Sequence, residues 1–259
     1  MTSTERPDYA AINIAHWNRN AGNWVAAGER MWAGEAEWGI WGVSNTEVPL
    51  LPDDMTGMDA IELGCGTGYG SGWMARRGAS VVAIDPSSAQ LATARRLADE
   101  HGADIHFVEG IAEDVPFPDT SFDFALSEYG AAIWSDPYVW IPEAHRLLRP
   151  GGVLAFMGTG SWSVVFTPHT ADPVAGQEAV RPYFGLHRVE WLDLDDDPGI
   201  EFNLPISGWF RLFSETGFDV VDFLEIQAPE SADGTRFSIP AEWAKKYPSD
   251  QAWIVRKRP

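Results

Sequence analysis

Two features of this sequence have the residue types and spacing of a nucleotide-handling site. The first is Glu62-Leu63-Gly64-Cys65-Gly66-Thr67-Gly68, where glycine recurs at every second position after an apolar run. Lacking a Cβ, glycine lets the chain turn sharply and lets its N–H groups approach a ligand closely. The second is Asp85, seventeen residues beyond Gly68 and at the end of another apolar run. A carboxylate there, at the end of the second strand of an open α/β sheet, is placed to accept hydrogen bonds from both hydroxyls of a ribose. A dinucleotide fingerprint aligned on Gly64 and Gly66 would need a third glycine where Tyr69 stands, which argues against an NAD(P)-dependent oxidoreductase. A Walker A loop would need Gly-Lys-Ser/Thr, and the three lysines, Lys245, Lys246 and Lys257, lie far from the glycines.

Such a site needs a parallel sheet to present it, and the apolar periodicity supplies one. Strands are expected at Met58 to Leu63, Ser80 to Ile84 ending at Asp85, Ile105 to Val108, Phe122 to Leu126 and Val153 to Met157. Between them, helices are expected after the glycine loop, from Ser87 (a capping serine) to Glu100, and from Pro137 to Leu148 before Pro150-Gly151-Gly152. A helix over Pro205 to Thr216 and strands over Phe218 to Ile226 and Ala252 to Val255 complete the pattern. Residues 159–204 break the rhythm with scattered aromatics and prolines, and one strand is expected there, Leu186 to Leu194. This segment reads as an insertion that covers the strand ends. Residues 8–36 read as helical and Gly39 to Asp54 as a linker, so the division is 1–50 as a helical lid and 51–259 as the core.

The runs Glu62-Leu-Gly-Cys-Gly-Thr-Gly68, Val82-Ala-Ile-Asp85-Pro-Ser, Pro116-Phe-Pro-Asp-Thr-Ser-Phe-Asp123 and Leu147-Leu-Arg-Pro-Gly-Gly152 resemble the class I S-adenosylmethionine-dependent methyltransferases. Within these the chain is similar to the small-molecule group that includes ubiquinone-pathway C-methyltransferases. The resemblance covers residues 55–158 and, more loosely, the last 55. It implies an α/β, Rossmann-like sheet of seven mostly parallel strands, with the final strand antiparallel at the sheet edge. It also implies S-adenosylmethionine as cofactor, S-adenosylhomocysteine as product, and transfer of a methyl group to O, N or C of a small-molecule acceptor.

The resemblance also assigns residues. Glu62 would orient the loop and approach the methionine amino group, and Gly64, Cys65, Gly66 and Gly68 would face the methionine and ribose. Asp85 would hold the ribose hydroxyls, with Pro86 against the adenine and Gln90 nearby. Gly110-Ile111-Ala112-Glu113 aligns with a family segment in which an Asp receives the adenine amino group. Here that Asp is Ile111, so Ala112 keeps its N–H while the amino contact falls to another group such as Glu113, or is absent. Ser127, Glu128 and Tyr129 would lie beside the methionine and the departing methyl. Where relatives often carry a His, Ile133 and Trp134 stand, so no catalytic base is assigned. A chain that binds the cofactor without transferring a methyl is the alternative this leaves.

Five of the thirteen tryptophans fall in the first 41 residues. Aromatic faces suit a sulfonium, with cation–π attraction of about 0.5–2 kcal/mol, so Trp17, Trp24 and Trp38 are candidates for a lid over the cofactor. Packing of the helix onto the sheet is the competing role. Tyr129, Trp134, His169 and Tyr183 are candidates for the acceptor pocket, and His16, His169 and His187 are within the segments that reach it.

Composition narrows the partners. The 38 acidic against 18 basic side chains give a net charge of -20 at pH 7, which repels phosphate backbones and anionic lipid surfaces. Nucleic-acid and membrane partners are therefore disfavoured. The cluster Asp193, Asp195, Asp196 and Asp197 reads as a solvated acidic surface. A single cysteine, Cys65, forms no internal disulfide, and no spacing suits a metal. A reducing, cytoplasmic setting is expected.

Overall fold

Residues that alternate between two apolar environments build the centre of this fold. Ile61 and Leu63, Ala125, and Leu154 and Phe156 face one core cluster with helices on that side. Their neighbours Ala60, Phe124 and Leu126, and Ala155 and Met157 face a second cluster on the opposite side. A sheet covered on both faces must be apolar on both, which is why these strands read as near-continuous hydrophobic runs.

The computed structural model describes residues 7–170, 173–190 and 199–259. The chain opens with α1 (Asp8–Ala33), β1 (Glu37–Trp38) and β2 (Val43–Ser44), followed by β3 (Asp59–Leu63), α2 (Tyr69–Arg76), β4 (Ser80–Asp85), α3 (Ser88–His101) and β5 (Ile105–Glu109). The second half brings β6 (Phe122–Glu128), α4 (Ala131–Trp134), α5 (Pro137–Leu147), β7 (Leu148–Thr159), α6 (Ser161–Phe166), β8 (Arg188–Glu190), β9 (Ile200–Phe202) and α7 (Ile206–Thr216). Last come β10 (Phe218–Ile226), β11 (Thr235–Arg236), β12 (Ile239–Pro240), α8 (Ala241–Ala244) and β13 (Asp250–Lys257).

Seven strands form the main sheet in the order β10-β13-β7-β6-β3-β4-β5. All neighbours are parallel except β13, which is antiparallel to both β7 and β10. This corrects the expectation that the final strand lies at the edge: β13 is interior, and β10 is the edge. Its side chains show why, because Ala252, Trp253 and Val255 are fully buried, whereas β10 is exposed or half-buried everywhere between its end residues Phe218 and Ile226.

Strand β7 begins five residues earlier than the apolar run predicts. Leu148 pairs with Phe122 and Val153 with Phe124, so Arg149 to Gly152 bulge out between two paired positions. The segment expected as a linker after Gly39 carries the β2 half of a hairpin and then buries Val48, Leu50 and Leu51 under the sheet. Of the strand expected over Leu186 to Leu194, Arg188–Glu190 is formed and paired with β9. Its remainder from residue 191, with the acidic cluster Asp193, Asp195, Asp196 and Asp197, lies outside the described residues.

Candidate active site at the carboxyl ends of the strands

The glycine loop leaves β3 at the point where the sheet order reverses, with β4 and β5 to one side and β6 and β7 to the other. Open α/β sheets bind ligands at such switch points. Gly64, Gly66 and Gly68 have φ of +78°, +53° and +79°, the left-handed region that glycine enters without steric cost. A Cβ on Gly64 would lie 2.7 Å from the Ala131 nitrogen, whereas one on Gly66 would meet nothing within 4 Å. Gly64 is thus needed for backbone packing, and Gly66 borders open space.

Asp85 ends β4 and is held against this loop. One carboxylate oxygen accepts the Gly66 N–H at 2.8 Å and the other the Ser87 N–H at 2.8 Å. An ionised carboxylate has about four acceptor sites, so both oxygens retain capacity for a ligand. Burial pushes the Asp85 pKa up to about 6, against the lowering effect of those two N–H donors. Ser87 accepts the Gln90 N–H at 3.2 Å and caps α3, as its position in the sequence suggests.

Three further carboxylates are buried at the same end of the sheet. Glu62 accepts from the backbone N–H of Ser71 at 2.7 Å and from its hydroxyl, which fixes the first turn of α2. Glu128, the last residue of β6, accepts from the Tyr69 hydroxyl and from the Gly39 N–H at 3.3 Å. Asp250, the first residue of β13, accepts from the hydroxyls of Tyr129 and Ser249. Burial raises Glu62 to about 8, Glu128 to about 7 and Asp250 to about 6, and mutual repulsion adds to the first two. Hydroxyls and backbone N–H groups hold these carboxylates in place of cations. A buried carboxylate without a counter-charge is costly, so the site favours a ligand that brings positive charge.

Helix α1 crosses this end of the molecule. Its 26 residues span about 39 Å at 1.5 Å per residue, and polar contacts fasten it along that length. Tyr9 donates to Glu113 at 2.6 Å, and Asn13 exchanges hydrogen bonds with the backbone of Ile200 in β9 at 2.8 and 2.9 Å. Asn18 accepts from Ser87 and from the Ala89 N–H in the first turn of α3. Trp32 donates its indole N–H to the Thr67 carbonyl of the glycine loop at 2.8 Å.

The residues expected from the sequence divide accordingly. Glu62, Gly64, Cys65, Gly66, Gly68, Asp85, Pro86, Glu128 and Tyr129 stand around the loop ends of β3, β4 and β6, and Ile111 and Ala112 follow β5. Ser127 is spent internally, donating to the Leu63 carbonyl and accepting the Ala132 N–H. Trp17 and Trp24 have ring centroids 5.6 Å apart, and Trp17 meets Trp134 edge-on at 5.2 Å. The ring of Trp38 is fully buried against Trp73, beneath the site, and only the following residue, Gly39, reaches Glu128.

Glu113 is occupied by Tyr9 and Ser135. Tyr183 uses its hydroxyl to accept the Ile206 N–H at the start of α7, His169 is exposed, and His187 pairs with Asp136 at 3.0 Å. Asp250, Tyr69, Asn18 and Trp32 also belong to this region. Their contacts join distant segments, and no local pattern marks them.

Residues 61–156 match the family model of the methyltransferase domain. An S-adenosylmethionine-dependent methyltransferase from Mesorhizobium loti superposes with a TM-score of 0.66 at 20% identity, covering 85% of this chain and all of that one. Residues 61–156 therefore carry the pattern of a methyltransferase domain, on a fold shared with solved S-adenosylmethionine-dependent methyltransferases. A malonyl-[acyl-carrier protein] O-methyltransferase from Serratia marcescens is 31% identical to this chain over 133 residues, 51% of each protein. The [4+2]-cyclase SpnF shares the fold, with a TM-score of 0.63 at 20% identity over 97% of both chains. This chain spans about half the length of the curated relatives it matches.

The match to a methyltransferase domain implies S-adenosylmethionine, and the residues present suit that molecule. Its sulfonium and ammonium would meet the demand of the buried carboxylates for positive charge, and its ribose would meet the spare acceptor capacity of Asp85. The open space at Gly66 is where its backbone contacts would fall.

Proposed function

We propose that this protein transfers a methyl group from S-adenosylmethionine to O, N or C of a small organic acceptor. The observation that carries the reading is Asp85, fixed by two backbone N–H groups beside Gly66 while keeping lone pairs for a ribose. The bound cofactor supplies an activated methyl on a positively charged sulfur, and the residues of this chain align, enclose and neutralise.

In this reading Asp85 takes the ribose hydroxyls, and the glycine loop lies along the ribose and methionine. Glu62 and Glu128 balance the positive charge, and Tyr129, held by Asp250, flanks the acceptor side. Trp17, Trp24 and Trp134, from α1 and α4, exclude water from the reacting groups, which strengthens electrostatic interactions inside the site. A net charge of -20 supports an acceptor other than a nucleic acid or an anionic membrane. Among the described residues no helix is long and apolar enough to cross a membrane. Buried Cys65, its thiol pushed up by burial, is compatible with work in a reducing cytoplasm.

Calorimetry with S-adenosylhomocysteine tests the binding half of the reading. No heat of binding at millimolar ligand would overturn it. Transfer of a labelled methyl to a panel of phenols, carboxylic acids, amines and activated carbon acids tests the other half, and binding without transfer to any class would mark a protein that uses the cofactor otherwise.

A further inference from the structure

We propose that the side-chain amide of Gln90 receives the exocyclic amino group of the adenine, taking the place of an acid in the loop after β5. The inference rests on the S-adenosylmethionine reading above.

Gln90 lies in the first turn of α3, directly beyond the β4 end that carries Asp85. It shares a helix face with Ala94, one turn further on, whose Cβ packs where a Cβ on Gly68 would stand, at 3.1 Å. Gln90 is therefore on the face of α3 that turns toward the glycine loop. Gln90 is only 2% exposed, and its amide oxygen is buried without a hydrogen-bond partner among the described residues. Leaving a buried acceptor unsatisfied is unfavourable.

The neighbouring groups can be eliminated as the adenine acceptor in turn. The loop after β5 abuts Asp85, whose carbonyl accepts the Gly110 N–H at 3.1 Å. Its next residue, Ile111, has no polar atom in its side chain. Glu113 is turned toward the hydroxyls of Tyr9 and Ser135, which hold it to α1 and to the segment after α4, and both lone pairs of the Asn18 amide oxygen are taken by Ser87 and Ala89. Gln90 keeps its acceptor. An amide also presents an acceptor and a donor side by side, the chemical complement of the amino and ring-nitrogen edge of adenine.

The test pairs S-adenosylhomocysteine with its purine analogue, which lacks only the amino group. Calorimetry on the wild-type chain should show the amino compound binding about 3- to 10-fold more tightly, the ratio one net hydrogen bond gives. In Gln90→Met, and in Gln90→Leu as a second variant, the two ligands should bind alike, and the ligand-free thermal midpoint should stay level or rise because the orphaned oxygen is gone. A wild-type ratio near one, or a ratio that survives either substitution, overturns the assignment to Gln90 while leaving the cofactor reading intact. Absence of binding by either ligand to the wild-type chain overturns both.

Discussion

The hydroxyl of Tyr129, just past the end of β6, donates to the carboxylate of Asp250, the first residue of β13, across 121 residues of sequence. Tyr129 makes this contact with φ of +50°, a left-handed conformation that is unfavourable for a bulky side chain. The bond ties the loop beside Glu128 to the interior strand that completes the sheet. Tyr129→Phe removes one of the donors that hold down the Asp250 pKa. The variant should lose about 1–3 kcal/mol in urea unfolding, the cost of leaving a buried polar group short of a partner. Equal stability would mean that the bond contributes nothing net.

The buried carboxylates set the pH dependence of the ligand-free protein. Glu62, Glu128, Asp85 and Asp250 all have folded pKa values raised above their ordinary range, to about 8, 7, 6 and 6. Across this window the folded state holds more protons than the unfolded, so stability from these groups is fully present below their unfolded pKa values and is lost as pH rises through the folded ones. The thermal midpoint should therefore fall between about pH 5.5 and about pH 8.5.

A ligand that brings positive charge should reverse that trend for its own binding. S-adenosylmethionine should bind more tightly as the carboxylates ionise and should release protons when it binds at about pH 6.5. Calorimetry in two buffers of different ionisation heat measures the release. A pH-independent affinity without proton release would detach the carboxylates from the ligand.

Asp85→Ala removes the proposed ribose acceptor and the partner of two backbone N–H groups. Affinity for S-adenosylhomocysteine should fall by about 1.5–3 kcal/mol, or roughly 10- to 150-fold, as for hydrogen bonds to a charged group. An unchanged dissociation constant would show that the ribose is held elsewhere.

Gly28→Ala tests the seat of α1 on the glycine loop. Helix propensity alone would stabilise this change by about 0.5–1 kcal/mol. The added Cβ, however, would lie 2.7 Å from the Thr67 hydroxyl oxygen and 2.8 Å from its Cβ. Net destabilisation in urea, together with weaker cofactor binding, is expected. A stabilised variant would mean that the loop yields freely.

The sheet was legible because its cues are local. Apolar runs, glycine punctuation and the distance from Gly68 to Asp85 are all set within short stretches, and the structure forms those strands within a few residues of the expected bounds. The interior place of β13 was not legible, because strand order depends on pairing between Met157 and Ala252 and no local pattern encodes it. The same applies to the site. Glu62 and Asp85 are announced by the motif around them, whereas Asp250 acquires its place through Tyr129, and Asn18 and Trp32 through α3 and the glycine loop. Ser127 shows the converse, since a polar residue at a promising strand end spends its hydroxyl on the backbone.

The fastening of α1 at Tyr9, Asn18 and Trp32 has a kinetic consequence. A ligand lodged between that helix and the strand ends is enclosed by a rod held at several points. It does not escape by the motion of a single side chain, so its residence time is governed by how often those fastenings release together.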